Sequence, residues 1–218
     1  MTGPGDPDRP RRLPHRPSTG YIPAAPSASH PSAVRMNLVF RLLLVILRTW
    51  RAPRLGPLDA SVIHARVLPT DLDLNLHLNN GRALTLMDLG RVDLMFRMGV
   101  VGELRRRRWN PVIASLTVRF RRSLNLGQRF DIHTRTLCWD ERFFYMEQRF
   151  VRNGDEMARA IVRAAFIGPE GRVLPQQLVD ASPWRLQSPP MPEGVRMWVQ
   201  AEEAIRSDTP GRTYEPIG

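Results

Sequence analysis

One helix dominates what this chain can fold into. From Asn80 to Gly99 the sequence is dense in helix-forming residues, and the helix that it predicts is apolar on most faces. Asn79 or Asn80 can cap its first turn, and Gly99 can end it. A helix on a protein surface shows a single apolar stripe, whereas a helix that is apolar on most sides is buried. The fold must therefore surround this helix with other elements.

Strand-like runs precede and follow the helix. They are rich in β-branched and aromatic residues, are separated by short turn-forming segments, and cover residues 61–68, 112–124, 129–139, 143–152 and 156–167. Within the second run, Leu116, Val118 and Phe120 alternate with polar residues, which predicts one buried and one polar face. Because the turns between the last four runs are short, we expect an antiparallel meander. The pattern favours an α+β fold in which one antiparallel sheet wraps around one long buried helix.

The regions that flank this pattern differ from it in composition. Residues 1–35 hold eight of the 20 prolines and show no apolar periodicity, so we expect a disordered leader. Met36 opens a segment of different character, and a start of translation at Met36 stays open as an alternative. The predicted organisation is completed by an apolar and basic N-terminal helix over residues 36–58, a folded domain over 59–181 and a proline-rich C-terminal tail over 182–218.

Arginine supplies all of the positive charge. The chain has 32 arginines, no lysine and 21 acidic residues, for a net charge of +11, of which residues 1–58 carry +7 and residues 59–181 carry +5. The domain also lacks basic strands interleaved with aromatic residues, so nucleic-acid binding is not expected. The one cysteine, Cys138, excludes an internal disulfide and a cysteine-based zinc site. We therefore expect a cytoplasmic protein without a metal.

Residues 36–50 are strongly apolar but contain Arg41 and Arg48. Their uninterrupted apolar run, 42–47, is far shorter than the about 20 residues that cross a bilayer. Two interpretations stay open. The segment is either a helix packed on the domain or on a partner subunit, or an interfacial helix that places Trp50 and nearby arginines among anionic head groups. The second interpretation puts the protein peripherally on the inner face of a membrane.

The loop ahead of the helix carries the most specific motif of the chain. In order it holds Asp71, Asp73, His77, Asn79 and Asn80, and the helix then has an acidic residue and an arginine three positions apart, Asp88 and Arg91. This motif resembles that of hotdog-fold acyl-CoA thioesterases of the 4-hydroxybenzoyl-CoA thioesterase type. It is most similar to the thioesterase-superfamily-member-6-like branch, and the resemblance extends from Val62 to Leu178. The resemblance implies the hotdog fold, with the sheet wrapped around the helix.

The resemblance also implies an activity and a site. The activity is hydrolysis of an acyl-CoA thioester to a free acid and CoA by a homodimer or homotetramer, with no cofactor beyond the CoA of the substrate. Asp73 would be the catalytic carboxylate, as a nucleophile or as a general base. Helix N-terminal amides near Asn80 and Gly81 would hold the developing oxyanion. The substrate-binding residues would be His77, Asn79, Asn80 and Gly81.

The same residues have a purely structural interpretation. Asp71, Asp73, Asn79 and Asn80 are residue types that a loop or a helix N-terminus uses to bond its own amides. His77 can orient Asp73 or contact substrate, and it can equally lock the loop. A non-catalytic hotdog module that binds acyl chains or a membrane-associated partner is therefore the alternative function.

Further residues bear on the substrate. The family commonly has tyrosine where this chain has Ala83, so a smaller group borders the expected acyl channel. The residues that would either line this channel or belong to the ordinary hydrophobic core are Leu84, Met87 and Met95. Asp88 would form an ion pair with Arg91 or Arg122 rather than act as a catalytic acid. Planar arginine side chains suit the phosphates of CoA, and the candidates are residues 105–108 with Arg119, Arg121 and Arg122.

Overall fold

The computed structural model describes residues 33–182, 184 and 186–208. The predicted leader lies outside the described residues except for residues 33–35, which belong to the first helix. In chain order the elements are α1 (Ala33–Thr49), β1 (Ser61–Arg66), a 3-10 turn (Pro69–Asp71), α2 (Asn80–Arg97), α3 (Val101–Arg107), β2 (Asn110–Phe120), β3 (Arg129–Trp139), β4 (Phe144–Arg152), β5 (Asp155–Gly168), β6 (Gly171–Val173), α4 (Pro175–Ala181) and α5 (Glu193–Ser207).

The strands form one antiparallel sheet in the order β1-β3-β4-β5-β2, with β6 paired to β5. The antiparallel sheet is confirmed, but the meander is wrong for β2, which pairs with β5 instead of β3. The reason lies in the connection between β2 and β3, which does not form a hairpin. Its Leu124 carbonyl accepts a 2.7 Å hydrogen bond from the Leu78 amide, and Val67 exchanges hydrogen bonds with Gly127 and Gln128. The chain thus leaves β2 at one edge, contacts the loop ahead of α2 and re-enters the sheet between β1 and β4.

The long helix α2 is buried, as the sequence predicts. Only Asn80, Gly81 and Asp88 are exposed within it, and the rest is buried or partly buried. At Gly90 the helix lies so close to β3 that an added Cβ would come within 3.0 Å of the Thr134 hydroxyl. Its buried apolar side chains, Ala83, Leu86, Met87, Leu89 and Leu94, form the main core with inward-facing residues of the sheet.

Helix α1 packs on the domain through one face and leaves the other exposed. Leu38, Leu42 and Val45 contact the main core. The exposed face is also apolar and consists of Val39, Phe40, Leu43, Leu44 and Leu47. Among the helices of the described part of the chain, none is long and apolar enough to cross a bilayer.

The C-terminal helix α5 covers part of the sheet face opposite α2. Val195 is buried there in a cluster with Cys138 and Tyr145, which lie next to each other on β3 and β4. The Glu202 carboxylate of α5 accepts a 2.8 Å hydrogen bond from Ser115 and lies 3.4 Å from the Arg163 guanidinium. The predicted tail thus contains a helix that is docked on the domain.

Candidate active site

A cavity of about 300 Å³ opens beside the loop ahead of α2. It brings together Asp73, His77 and Asn80 of the predicted site, whereas Asn79 and Gly81 do not line it. The other side chains that line it include Ala83, Phe120, Arg121, Arg122, Phe150 and Met157. Charged and polar groups thus face apolar groups from β2, β4 and β5 across one cavity.

The Asp73 carboxylate holds the loop through one of its two oxygens. Its Oδ1 accepts hydrogen bonds from the amides of Asn75 at 2.9 Å and His77 at 3.1 Å. The loop also closes through its backbone, because the Asp73 amide donates to the His77 carbonyl and the Leu76 amide donates to the Asp73 carbonyl. Leu76 adopts a left-handed conformation with φ of 60° to make this turn. The second oxygen, Oδ2, has no hydrogen bond to any described residue and is free for chemistry.

The N-terminus of α2 presents free amides next to this loop. Asn79 is the N-cap, and its Oδ1 accepts a 3.1 Å hydrogen bond from the Arg82 amide. The amides of Asn80 and Gly81 lie in the first turn, where no intrahelical acceptor exists. No other described residue accepts a hydrogen bond from either of them. The helix dipole adds a partial positive charge at this end.

Asp71 has a structural role, as the alternative interpretation expects. Its carboxylate is completely buried, with Oδ2 at 2.7 Å from Arg41 Nη2 and Oδ1 at 3.0 Å from Arg82 Nη2. It also accepts a 2.9 Å hydrogen bond from the Leu68 amide. Asp71 therefore joins α1, the loop and α2. Since Arg41 is held in this ion pair, the interfacial interpretation of residues 36–50 is wrong for this arginine.

The imidazole of His77 lines the cavity without a hydrogen bond to another described residue. The backbone of His77 is fixed, because its amide bonds Asp73 and the residue forms an antiparallel bridge with Asn125. The structure therefore brings His77 and Asp73 to the same cavity, without the hydrogen bond between their side chains that would orient the ring. Its role as a substrate contact stays a prediction.

The arginines expected to bind phosphate fall into two groups, those that line the cavity and those that do not, and Arg119 of β2 is one of the latter. Arg121 and Arg122 line the cavity, and both are exposed, with Arg122 paired to Asp155 at 2.5 Å. The run at residues 105–108 lies elsewhere, on and just after α3. Two of its members donate hydrogen bonds to Glu103, which lowers the pKa of that carboxyl to about 2. Only the first group is placed to contact a ligand that enters the cavity.

A second feature is a chain of polar side chains that runs from the exposed Asp88 into the buried interior. Arg91 donates hydrogen bonds to the Asp88 carboxylate and to the side-chain oxygen of Gln148. The Gln148 amide donates in turn to the Thr134 hydroxyl at 2.9 Å. Burial lowers the pKa of Arg91 to about 10 because it removes the guanidinium from water. The expected pair of Asp88 with Arg91 is confirmed, whereas nothing in the sequence indicates Gln148, which lies on β4.

Beside this chain lies a second, mainly apolar cavity of about 280 Å³. Met95 lines it, together with Asp88 and Arg91 at one end and Ile113 of β2. Of the three residues expected to line a channel or the core, Met87 is buried in the main core and Leu84 packs against it. The sequence did not indicate that β4 and β5 contribute walls to the cavity beside Asp73. Alternation shows which face of the sheet a residue occupies, but not which residues on that face lie next to the loop ahead of α2.

Known proteins resemble this chain in sequence and in fold. The sequence model of the thioesterase-like superfamily matches residues 67–199. Protein THEM6 of Xenopus laevis is 38% identical over 140 residues, which cover 63% of this chain and 66% of the relative. Protein THEM6 of Danio rerio is 32% identical over 175 residues, which cover 78% of this chain and 86% of the relative. The crystal structure of the probable thioesterase YbaW from Escherichia coli has a TM-score of 0.52 at 17% identity, covering 55% of this chain and 93% of that one, and thus shares the fold.

Proposed function

Because the chain belongs to the thioesterase-like superfamily and has the hotdog fold, we propose that it hydrolyses an acyl-CoA-like thioester to a free acid and CoA. One observation carries this proposal. Asp73, whose carboxylate has a free oxygen, and Asn80, the first residue of α2, line the same cavity. A thioester carbonyl in that cavity would have an attacking group on one side and oxyanion donors on the other.

The chemistry follows from these two groups. In one mode Asp73 Oδ2 attacks the thioester carbonyl carbon, the bond to sulfur breaks, CoA leaves as a thiolate, and water hydrolyses the resulting anhydride. In the other mode Asp73 takes a proton from a water molecule that attacks the same carbon, and the bond to sulfur then breaks so that CoA leaves as a thiolate and the free acid remains. Both modes pass through a tetrahedral intermediate in which the former carbonyl oxygen carries a negative charge. The amides of Asn80 and Gly81 would stabilise it.

The remaining walls fit the two halves of the substrate. Arg121 and Arg122 are suited to the phosphates of CoA at the exposed side of the cavity. Phe120 and Phe150 provide apolar surface for the chain that carries the thioester. The small side chain of Ala83 leaves room where the family commonly has a tyrosine. His77 and Asn80 are positioned to contact the acyl group or the pantetheine arm.

The experiment is an assay of CoA release. The purified full chain is incubated with a panel of aliphatic and aromatic acyl-CoA esters, and the released thiol is measured. We expect saturable release with at least one class of ester. If no member of the panel is hydrolysed faster than in buffer alone, hydrolysis of acyl-CoA is refuted.

One specific observation favours the alternative, a non-catalytic hotdog module that binds acyl chains or a membrane-associated partner. Asp73 Oδ1 accepts two amide hydrogen bonds within its own loop, which is a structural task that needs no catalysis. For such a module, acyl-CoA would bind to the protein and remain intact. Equilibrium dialysis with a non-hydrolysable thioether analogue of acyl-CoA, in parallel with the release assay, separates binding from turnover.

We also infer that the chain forms a homodimer through β2, alone or within a homotetramer. β2 is an edge strand of 11 residues with one side unpaired. A long exposed apolar edge invites pairing with another strand, and the exposed apolar residues here are Val112, Ile113, Leu116 and Phe120. Sedimentation equilibrium should give at least twice the chain mass, and Leu116→Arg should lower it to that of one chain. An unchanged mass for the variant would exclude β2 as the contact.

We further propose that the exposed face of α1 rests on an anionic membrane, which would place the protein peripherally on the inner face. Its support is the row of exposed apolar side chains, followed by the exposed Trp50. Deleting residues 36–50 would also remove Leu38 and Leu42 from the core, so substitutions are the cleaner test. Leu43→Ser with Leu47→Ser should abolish co-sedimentation with phosphatidylserine vesicles. Unchanged co-sedimentation would refute the contact.

A further inference from the structure

A third cavity lies between α1, β1 and α2 and has a volume of about 310 Å³. None of its lining residues lines the Asp73 cavity. Its apolar walls come from all three elements and include Phe40, Leu44, Val45, Ile63, Leu86 and Leu89. We call this cavity the α1 groove.

Three arginines also line the α1 groove: Arg41, Arg48 and Arg66. Arg48 is exposed and has no acidic partner among the described residues. Arg66 donates a 2.8 Å hydrogen bond to the Gly127 carbonyl, which leaves its positive charge unpaired. The groove thus combines an apolar wall with an excess of guanidinium groups.

The most informative of these groups is Arg41. Its Nη2 bonds the Asp71 carboxylate and the Arg66 carbonyl, whereas its Nη1 is buried and has no hydrogen-bond partner. A buried donor without an acceptor costs free energy, and native structures rarely tolerate one without a reason. Because Asp71 is shared with Arg82, the ion-paired cluster carries a net charge of +1. Nη1 is enclosed by protein atoms, so an anion in the groove would not bond it but would offset the positive charge of this cluster.

An acidic residue is present in the groove as well, and it is already satisfied. The Asp93 carboxylate accepts a 2.5 Å hydrogen bond from Ser61 and lies 3.7 Å from Arg97. It therefore does not neutralise the arginines. We propose that the α1 groove is a binding site for a fatty-acid carboxylate, whose chain lies on the apolar walls while its head group pairs with the exposed guanidinium groups of Arg48 and Arg66.

This site is independent of the proposed hydrolysis and can be tested without turnover. The full chain is titrated by calorimetry with dodecanoate below its micellar concentration, and with dodecanol as the uncharged match. We expect one dodecanoate per chain and at least tenfold weaker binding of dodecanol. Equal affinities would overturn the proposal, because the arginines would then play no part.

Two matched pairs of variants locate the site. Leu44 and Leu47 are both exposed leucines of α1, but only Leu44 lines the groove. Leu44→Glu should weaken dodecanoate binding at least tenfold, and Leu47→Glu should change it less than twofold. Equal losses would show general association with the apolar face of α1 and would overturn the proposal.

The second pair separates the groove from the Asp73 cavity. Arg48→Gln should weaken binding at least tenfold, whereas Arg121→Gln, which alters the other cavity, should have little effect. The reverse result would assign dodecanoate to the Asp73 cavity and overturn the proposal. All four substituted side chains are exposed, and circular dichroism with a thermal unfolding curve confirms that each variant is folded.

Discussion

Asp73→Asn separates the loop hydrogen bonds of the Asp73 carboxylate from the catalytic role that we propose for it. The amide side chain keeps an oxygen at the position of Oδ1, so it still accepts hydrogen bonds from the amides of Asn75 and His77. What it loses is the negative charge and the basicity of Oδ2. If Asp73 acts chemically, the variant should keep its loop and lose its activity.

The expected magnitudes differ for the two tasks. A hydrogen bond to a charged acceptor contributes about 1.5–3 kcal/mol and a neutral one about 0.5–1.5 kcal/mol. Two half-exposed bonds of this kind predict a decrease in the free energy of unfolding of about 1–2 kcal/mol for Asp73→Asn. Loss of a general base or nucleophile should lower kcat by a factor of about 100 to 10,000. KM should change little, since the residues expected to contact CoA are untouched.

The assay pairs steady-state CoA release with urea unfolding for three variants. Asp73→Ala removes the loop bonds as well as the charge, so it should be less stable than Asp73→Asn but equally inactive. Asp131→Asn, a partly exposed carboxylate outside the cavity, serves as the control and should leave kcat unchanged.

One pattern would refute the reasoning. If Asp73→Asn retains wild-type kcat while Asp73→Ala loses both activity and stability, the carboxylate acts only by holding the loop. Asp73 would then be a positioning residue, and the attacking group would have to be sought elsewhere.

Three further predictions concern the scaffold. Gly90→Ala should destabilise the protein by about 1–3 kcal/mol, because its Cβ would overlap a hydroxyl of β3; Gly102→Ala, in α3 with no neighbour within 4 Å, should stabilise it by about 0.5–1 kcal/mol in the same urea experiment. Burial raises the pKa of the Cys138 thiol to about 11, so about one molecule in a thousand is thiolate at pH 8, and labelling with iodoacetamide should be at least 100-fold slower in the native than in the denatured protein. Burial and the nearby Arg149 lower the pKa of His133. As the pH falls through about 6.5, the unfolded chain therefore binds a proton at His133 before the folded chain does, and the folded state loses stability. His133→Gln should reduce this loss between pH 7 and pH 5, and a variant whose urea midpoint falls with pH as much as that of the wild type would contradict the prediction.

The sequence predicted features that depend on residues lying close together in the chain. Asn79 is the helix cap because its side chain reaches an amide three residues ahead, and that spacing is visible in the sequence. The alternation in β2, in contrast, predicted a buried face that the strand does not have, because Leu116 and Phe120 are exposed and Val118 is only partly buried. The motif from Asp71 to Asn80 indicated both the fold and the loop on which the candidate site is built.

Pairings between distant residues could not be predicted. β2 joins β5 because its exit segment is held by the loop ahead of α2, and alternation carries no information on the partner strand. Arg41 lies 30 positions before Asp71, and nothing near either residue indicates their ion pair. In a chain with 32 arginines, composition cannot single out the two that pair with Asp71.

The hydrogen bond between the Leu78 amide and the Leu124 carbonyl also bears on the order in which the molecule folds. The loop that carries Asp73 is anchored by a segment that lies beyond α2, α3 and β2 in the chain. Contacts between such distant segments form late, because closing a long stretch of chain costs entropy before it brings any stabilisation. We therefore expect the amides of this loop to gain protection from hydrogen exchange after those of α2 during refolding. The loop that carries Asp73 would then become ordered only after α2 has formed.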